Sequence, residues 1–429
     1  MTYDTETLIQ LDKAYVWHPF TQMRDWIAPE HQPIVLVAGD GAWLEDSLGR
    51  RYLDGNSSIW TNVHGHGHPT LNRAIRAQLD RVAHTSFLGF TNPNAVELAA
   101  RLVGVLPGSS LTKVFFSDDG STAIEVAIKM AVQYFFQSGH PRKKGFISFE
   151  NAYHGDTLGA SSLGGISLFH DRFKLHQFPV TRIGSVESLA AIDGSEISGL
   201  VIEPMIQGAA GMRLWPVGTL KTLRQWCDDH GVLLIFDEVM TGFGRTGKYF
   251  ACQHDGVYPD FLALAKGLTG GYLPLAATLT TDRIFSGFLG SSHETFFYGH
   301  SYSGNALGCA AAVANLAVFQ EERVLEKLQP KIEHLAQRLH GLRDLANVRE
   351  IRRAGFMAGI EVARRDGDAF NSLDRVGAQI CFAARRHSLL TRPIGDVIVL
   401  MLPLCATAEE IDMAIGAIEM AIVEVCHRS

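Results

Sequence analysis

The sequence predicts an α/β protein built on a parallel sheet whose strand ends carry chemistry. Two short apolar, β-compatible runs, Leu233-Leu-Ile-Phe-Asp237-Glu238 and Phe261-Leu-Ala-Leu-Ala265, each deliver an ionisable residue where a strand should end, the second run passing straight into Lys266. Strand-like and helix-like patterns also alternate along most of the chain, as they do when helices cover a parallel sheet. Open sheets of this kind bind their ligands beyond the carboxyl ends of the strands.

In chain order, residues 34–54 hold brief strand-like runs broken by Gly39-Asp-Gly41 and Leu48-Gly-Arg50, the pattern of tight hairpins. From about Pro69 the alternation begins, with helices predicted at 70–83 and 94–105, a strand at 112–117, a helix at 121–137 and a strand at 145–149. The same beat continues through a strand at 199–203, a helix at 217–230 and strands at 232–237 and 261–265. Beyond residue 324 come a charged helix, strand-like Val348-Arg-Glu-Ile351 and Phe356-Met-Ala-Gly-Ile-Glu361, a helix, Val397-Ile-Val-Leu400 and a closing amphipathic helix from Ala408. That is an α+β unit, expected to pack with the N-terminal hairpins. No internal repeat or low-complexity tract interrupts the pattern.

With 429 residues, 46% hydrophobic and 19% charged, the chain can bury a large core. A net charge of −7 without a Lys/Arg run argues against nucleic-acid or membrane-surface partners. No run approaches the roughly 18 apolar residues that span a bilayer, and the acidic start Met1-Thr-Tyr-Asp-Thr-Glu6 lacks an export signal's apolar segment. The six cysteines form no CxxC pair, so neither a disulfide framework nor a thiolate metal site is expected, and reduced thiols fit a cytoplasmic protein.

A lysine at a strand end loses hydration, which favours its neutral, nucleophilic amine, and a carboxylate beside it can hold a protonated ring nitrogen. Pyridoxal phosphate (PLP) requires both, an amine for a Schiff base and an acid for its pyridinium nitrogen. The plainer alternative is a surface lysine closing an ordinary strand. Ser117-Asp-Asp-Gly120-Ser121-Thr122 joins a strand to a long helix, where free N–H groups and hydroxyls suit a phosphate, although such a start is also an ordinary N-cap. Asn151-Ala-Tyr153-His154-Gly155-Asp156 puts an aromatic ring at another strand end, able to stack on a planar cofactor or to close the core.

Gly242-Phe-Gly244-Arg-Thr-Gly247 matches GxGxxG and raises a nicotinamide-dependent oxidoreductase. Its setting disagrees: no long helix pattern follows, and the carboxylates precede the glycines instead of following by about twenty residues. The segment reads better as a glycine-rich loop from which Arg245 meets substrate. His64-Gly-His66-Gly-His68 raises a metal site, but no ligand-spaced carboxylate or cysteine cluster accompanies it, so hydrogen-bonded loop histidines are expected and no metal.

Together, Leu234-Ile-Phe-Asp237-Glu238-Val239, Gly242-Phe-Gly-Arg-Thr-Gly247, Asp260-Phe261 and Ala265-Lys266-Gly-Leu-Thr-Gly-Gly271 resemble the signature of the class III aminotransferases, and the likeness covers almost the whole chain. It implies the fold-type I architecture of PLP enzymes: a large domain over 61–324 with a mainly parallel seven-stranded sheet, and a smaller α+β domain made of 1–60 and 325–429. Trp17-His-Pro19, Ser117-Asp-Asp-Gly-Ser121, Tyr153-His-Gly-Asp156, Pro204-Met-Ile-Gln-Gly-Ala209 and Thr391-Arg392-Pro393 further resemble the biotin-pathway branch, which aminates 8-amino-7-oxononanoate.

The resemblance implies that Lys266 holds PLP and moves the proton, that Asp237 keeps the pyridine nitrogen protonated, and that Tyr153 stacks on the ring. It gives the phosphate to Gly120 and Ser121, with His300 and Ser301 reaching across from the partner of a homodimer. Substrates would meet Phe20, Ile59, Trp60, Tyr153, Arg245, Gly299 and Arg392, the last receiving the keto acid's carboxylate. S-Adenosylmethionine is the expected amino donor. Where members that use it carry Tyr, Trp and Pro-Thr, however, this chain has Phe20, Ile59 and His300-Ser301, closer to a branch that takes L-lysine. Another ω-amino acid aminotransferase would share Lys266 and Asp237 without needing the Trp-His-Pro and Thr-Arg-Pro segments together.

Overall fold

Strands Leu233–Asp237 and Phe261–Leu264 lie side by side and parallel, with Asp237 opposite Ala263. The computed structural model describes residues 4–426; Met1–Tyr3 of the acidic start and residues 427–429 lie outside it. Every residue of both strands is buried, which explains their uninterrupted apolar spelling. They are the centre of a seven-stranded sheet ordered 111–117, 276–281, 261–264, 233–237, 197–202, 145–149, 180–183. All neighbours run parallel except Ala276–Thr281, which is antiparallel to both strands beside it.

Helices close both faces. Thr219–His230 follows Gly218 and ends on Gly231 in the left-handed conformation, and its buried Leu220, Leu223 and Cys227 recur at helical spacing against the sheet. Gly120–Gln137 starts with a capping box in which the Asp119 carboxylate accepts the Thr122 N–H. Two sheet strands escaped the sequence reading, Val180–Ile183 and Ala276–Thr281, as did helix Ala306–Glu321. The helix has apolar or small residues on all sides and eleven of its sixteen residues are buried, Asn315 among them, so it shows no amphipathic period to read.

The two chain ends meet in one small sheet. Leu36–Asp40, Trp43–Asp46 and Arg51–Asp54 form antiparallel hairpins, to which Leu389–Leu390 adds in parallel. Val348–Ala354, Met357–Val362, Val397–Leu400 and Pro393–Ile394 form a second small sheet. The predicted helices and strands at both chain ends lie within one to three residues of the observed ones. Among the described residues no helix is long and apolar enough to cross a membrane.

Candidate active site

Five strands of the large sheet end at one cavity of about 410 Å³. Strand Leu111–Ser117 leads to Gly120 and Ser121, Gly145–Phe149 to Tyr153 and His154, and Ile197–Ile202 to Glu203; Asp237 ends its own strand, and Lys266 follows Phe261–Leu264. Trp60, Met240, Tyr272, Leu273 and Leu275 supply an apolar wall.

Lys266 is enclosed yet keeps part of its surface open to the cavity. Burial pushes its amine below the ordinary lysine range, against the opposing attraction of Asp237 and Glu203. Its backbone is left-handed, φ 44°, and the loop after it is pinned where the Asn315 amide donates to the carbonyls of Gly267 and Leu268, both at 3.0 Å. Its Nζ lies 4.9 Å from the centre of the Trp60 ring.

Asp237 is 6% exposed, and its two carboxylate oxygens are held separately: Oδ2 lies 2.8 Å from His154 Nδ1, and Oδ1 accepts the Val239 N–H at 3.1 Å. Glu203 accepts N–H bonds from Gly208 at 2.9 Å and Tyr153 at 3.4 Å. Burial raises its carboxyl to about 7, outweighing the stabilising pull of His154. The Tyr153 hydroxyl donates to Asp156 at 2.6 Å; burial first, then this acceptor, pushes its phenol upward.

The phosphate-sized corner is cut to glycine. A Cβ on Gly120 would stand 2.7 Å from a Val239 methyl, and one on Gly155 would stand 2.2 Å from Ser121 Oγ. Gly120 and Ser121, in the first turn of an eighteen-residue helix whose opening N–H groups have no partner within the helix, line the cavity. An anion cradle, an enclosed amine, a fixed carboxylate and an aromatic wall fit PLP in size and donor chemistry.

Trp60 reaches the cavity from an unusual backbone. Ser57, Ser58, Ile59 and Trp60 have φ of 44°, 49°, 68° and 67°, and the amides of Trp60 and Thr61 donate to the carbonyls four residues back, at 2.8 and 2.9 Å. This is a left-handed helical turn without glycine, a conformation that costs about 1–2 kcal/mol per residue.

The structure brings Gly120, Ser121, Tyr153, Asp237, Lys266 and Trp60 to the cavity. Phe20, Ile59, Gly299, Ser301 and Arg392 are exposed, and His300 lies with its Nδ1 3.7 Å from Asp118; none of these lines it. Arg245, expected at the substrate, is turned away from it. At 1% exposure its guanidinium donates to the carbonyls of Asn62 (2.7 Å) and Leu402 (2.9 Å) and to Ser57 Oγ (3.2 Å), so it braces the wall from behind.

The glycines around it form turns that lead only into a four-residue helix, Cys252–Asp255, unlike a dinucleotide-binding turn. The three histidines take separate partners: His64 Nε2 lies near the Asn315 carbonyl, His66 bonds Asp54 and Asn62, and His68 meets Glu322. Burial lowers His64 to about 3. Glu203, His154 and Asn315 went unassigned in the sequence reading. Glu203 and His154 stood at predicted strand ends, whereas Asn315 lies inside the helix that showed no period.

A fold-type I sheet whose strand ends carry an enclosed lysine and a fixed aspartate defines a PLP-dependent enzyme. The model of the aminotransferase class III family matches residues 26–422, and the chain belongs to that family of PLP-dependent aminotransferases. The adenosylmethionine-8-amino-7-oxononanoate aminotransferase of Geobacter sulfurreducens is 47% identical over 98% of both chains. The crystal structure of the Methanocaldococcus jannaschii protein of that name superposes with a TM-score of 0.96 at 40% identity, covering 98% of this chain and 100% of the other. An amine transaminase from an uncultivated Pseudomonas species, solved in its PLP-bound form, matches with a TM-score of 0.89 at 33% identity, covering 96% and 98%.

Proposed function

We propose that the chain transfers an amino group to the 7-keto carbon of 8-amino-7-oxononanoate, giving 7,8-diaminononanoate for biotin synthesis, with S-adenosylmethionine as donor. The observation that carries this reading is the enclosed Lys266 amine sharing one cavity with Asp237, beside an apolar wall suited to a long-chain keto acid. Bound PLP supplies an aldehyde for amines and a ring that accepts electrons.

The chain's own groups do the rest. Lys266 Nζ, kept neutral more readily by burial, would take a proton from the donor's amine-bearing carbon in the first half-reaction and deliver one to the acceptor's keto carbon in the second. Asp237, fixed by His154 and Val239 N–H, presents a carboxylate to the ring nitrogen. The N–H groups of Gly120 and Ser121 hold the phosphate, and Tyr153 covers one ring face.

Phe20 and Ile59 replace the hydroxyl and the flat indole expected for S-adenosylmethionine, which keeps L-lysine as a second donor. We place the protein in the cytoplasm as a homodimer. The dimer reading is supported by Leu88, Phe90, Phe297 and Tyr302, apolar side chains 60–83% exposed in the segments around His300 and Ser301. In that assembly His300 and Ser301 would serve the partner's phosphate site.

Borohydride reduction of the yellow protein should fix the cofactor on Lys266. Peptide mass spectrometry that finds it on another lysine, or finds none, rejects the reading. Absorbance changes on adding S-adenosylmethionine or lysine then identify the donor.

A further inference from the structure

We propose that Asp54, backed by His66, is a positioning residue that holds the left-handed turn Ser57–Trp60 and thereby fixes the Trp60 indole as the gauge of the acceptor channel. The role in substrate passage rests on the reading of the cavity given above; the hold on the turn does not.

Four consecutive side-chain-bearing residues do not stay left-handed unaided, because each Cβ crowds its carbonyl. Asp54 meets the turn at its first exposed step: Oδ1 accepts the Ser58 N–H at 2.9 Å and Oδ2 accepts the Ser58 hydroxyl at 2.8 Å. His66 Nε2 lies 3.0 Å from the same Oδ2, and His66 Nδ1 lies 3.1 Å from the Asn62 amide, so one imidazole ties both flanks of the turn together. Asp54 is 2% exposed and sits on the strand paired with Leu390, in the chain-end unit.

The opposite side is braced as well. Ser57 Oγ donates to the Met401 carbonyl at 2.6 Å, and Arg245 holds Ser57, Asn62 and Leu402 at once. Downstream, Gly271 packs against the turn so closely that a Cβ there would stand 2.7 Å from Asn62 backbone atoms. The indole itself is steered by its N–H bond to Asn56 Oδ1 at 2.8 Å, with Lys266 Nζ on its face. A turn held this way sets the ring by strain against tethers, so loosening the tethers moves one wall of the cavity and leaves Asp237 and the phosphate corner in place.

The test uses the full-length protein with Asp54→Asn, with His66→Gln as the milder partner should the first fold poorly. Hydrogen exchange, read by mass spectrometry without substrate, should quicken about tenfold across residues 57–62 and stay at the parent level around 233–241 and 261–268, in line with loss of a buried hydrogen-bond acceptor. The KM for the keto acid should rise about 5- to 30-fold while the donor half-reaction stays within about twofold.

Ile59→Gly relieves one left-handed residue, so it should raise the melting temperature of the parent by about 1–3 °C and recover part of the loss in Asp54→Asn. Unchanged exchange at 57–62, or equal losses in both half-reactions, overturns the proposal. Exchange is read without substrate, so it stands whichever keto acid is used. Absence of a Lys266 adduct would instead sink the reading of the site.

Discussion

The floor of the cavity and the exposed residues proposed to form its rim are built differently. Lys266, Asp237 and Glu203 stand at strand ends of one sheet, each fixed by partners inside the chain: the Asn315-pinned loop, His154 with Val239 N–H, and the N–H groups of Gly208 and Tyr153. Phe20, Ile59, Gly299, Ser301 and Arg392 come from distant parts of the sequence and are exposed. Phe20 connects to Tyr153 through rings, packing on Phe169 at 5.5 Å, with Phe169 on Tyr153 at 6.1 Å. A pre-organised floor suits a proton transfer common to all substrates, whereas a rim that leaves its groups open suits their selection.

Removing a floor residue should therefore damage both half-reactions, and removing a rim residue only one. The largest effect is expected for Lys266→Ala, which deletes the amine that moves the proton: turnover should fall on the order of 10³-fold with either substrate, while PLP still binds through the phosphate corner. Single-turnover absorbance traces check both halves. A variant that kept near-parental rates would remove Lys266 from the chemistry and erase the distinction between floor and rim.

Glu203 offers the next test, because its burial has a pH signature. An unfolded glutamate titrates near 4.5, while the folded one is raised to about 7, so between those values the folded state holds the extra proton. The contribution is fully present below about 4.5 and is lost as pH rises through 7. It amounts to at most about 3 kcal/mol. Glu203→Gln keeps the amide oxygen as an acceptor and cannot titrate, so the urea midpoint of the variant should vary less with pH across that window. A slope equal to the parent's would place the titration elsewhere.

The floor was legible in the sequence because its signals are local. An apolar run that ends in Asp237, another that passes into Lys266, and a glycine-serine start to a long helix each mark a strand or helix end within a few residues. The strain and tethers around Trp60 were not legible, since Asp54, Asn62, Arg245 and Met401 meet only through tertiary packing. Arg245 shows the failure most clearly. A cation in a glycine-rich loop reads as a ligand for substrate, and burial instead turned it toward carbonyl oxygens, lowering its guanidinium to about 10. Ala276–Thr281 was missed for a different reason: its small, hydroxyl-rich spelling lacks the bulk that marks other buried strands.

The smallest effect sharpens the comparison most. Arg392 is exposed and outside the cavity, so its contact with the keto acid's carboxylate would be made at the solvent edge, where charge pairs are screened. Arg392→Ala should raise the KM for the keto acid about tenfold, equal to about 1.4 kcal/mol, well short of the loss expected for a buried pair. The donor half-reaction should stay within about twofold. Arg392→Lys keeps the charge and loses the planar fork, so it should recover only part of the affinity if the contact is bidentate and nearly all of it if the attraction is a point charge. Equal losses in both half-reactions would mean that Arg392 supports the floor through the chain-end sheet, and the division between a fixed floor and a selective rim would fail at that residue.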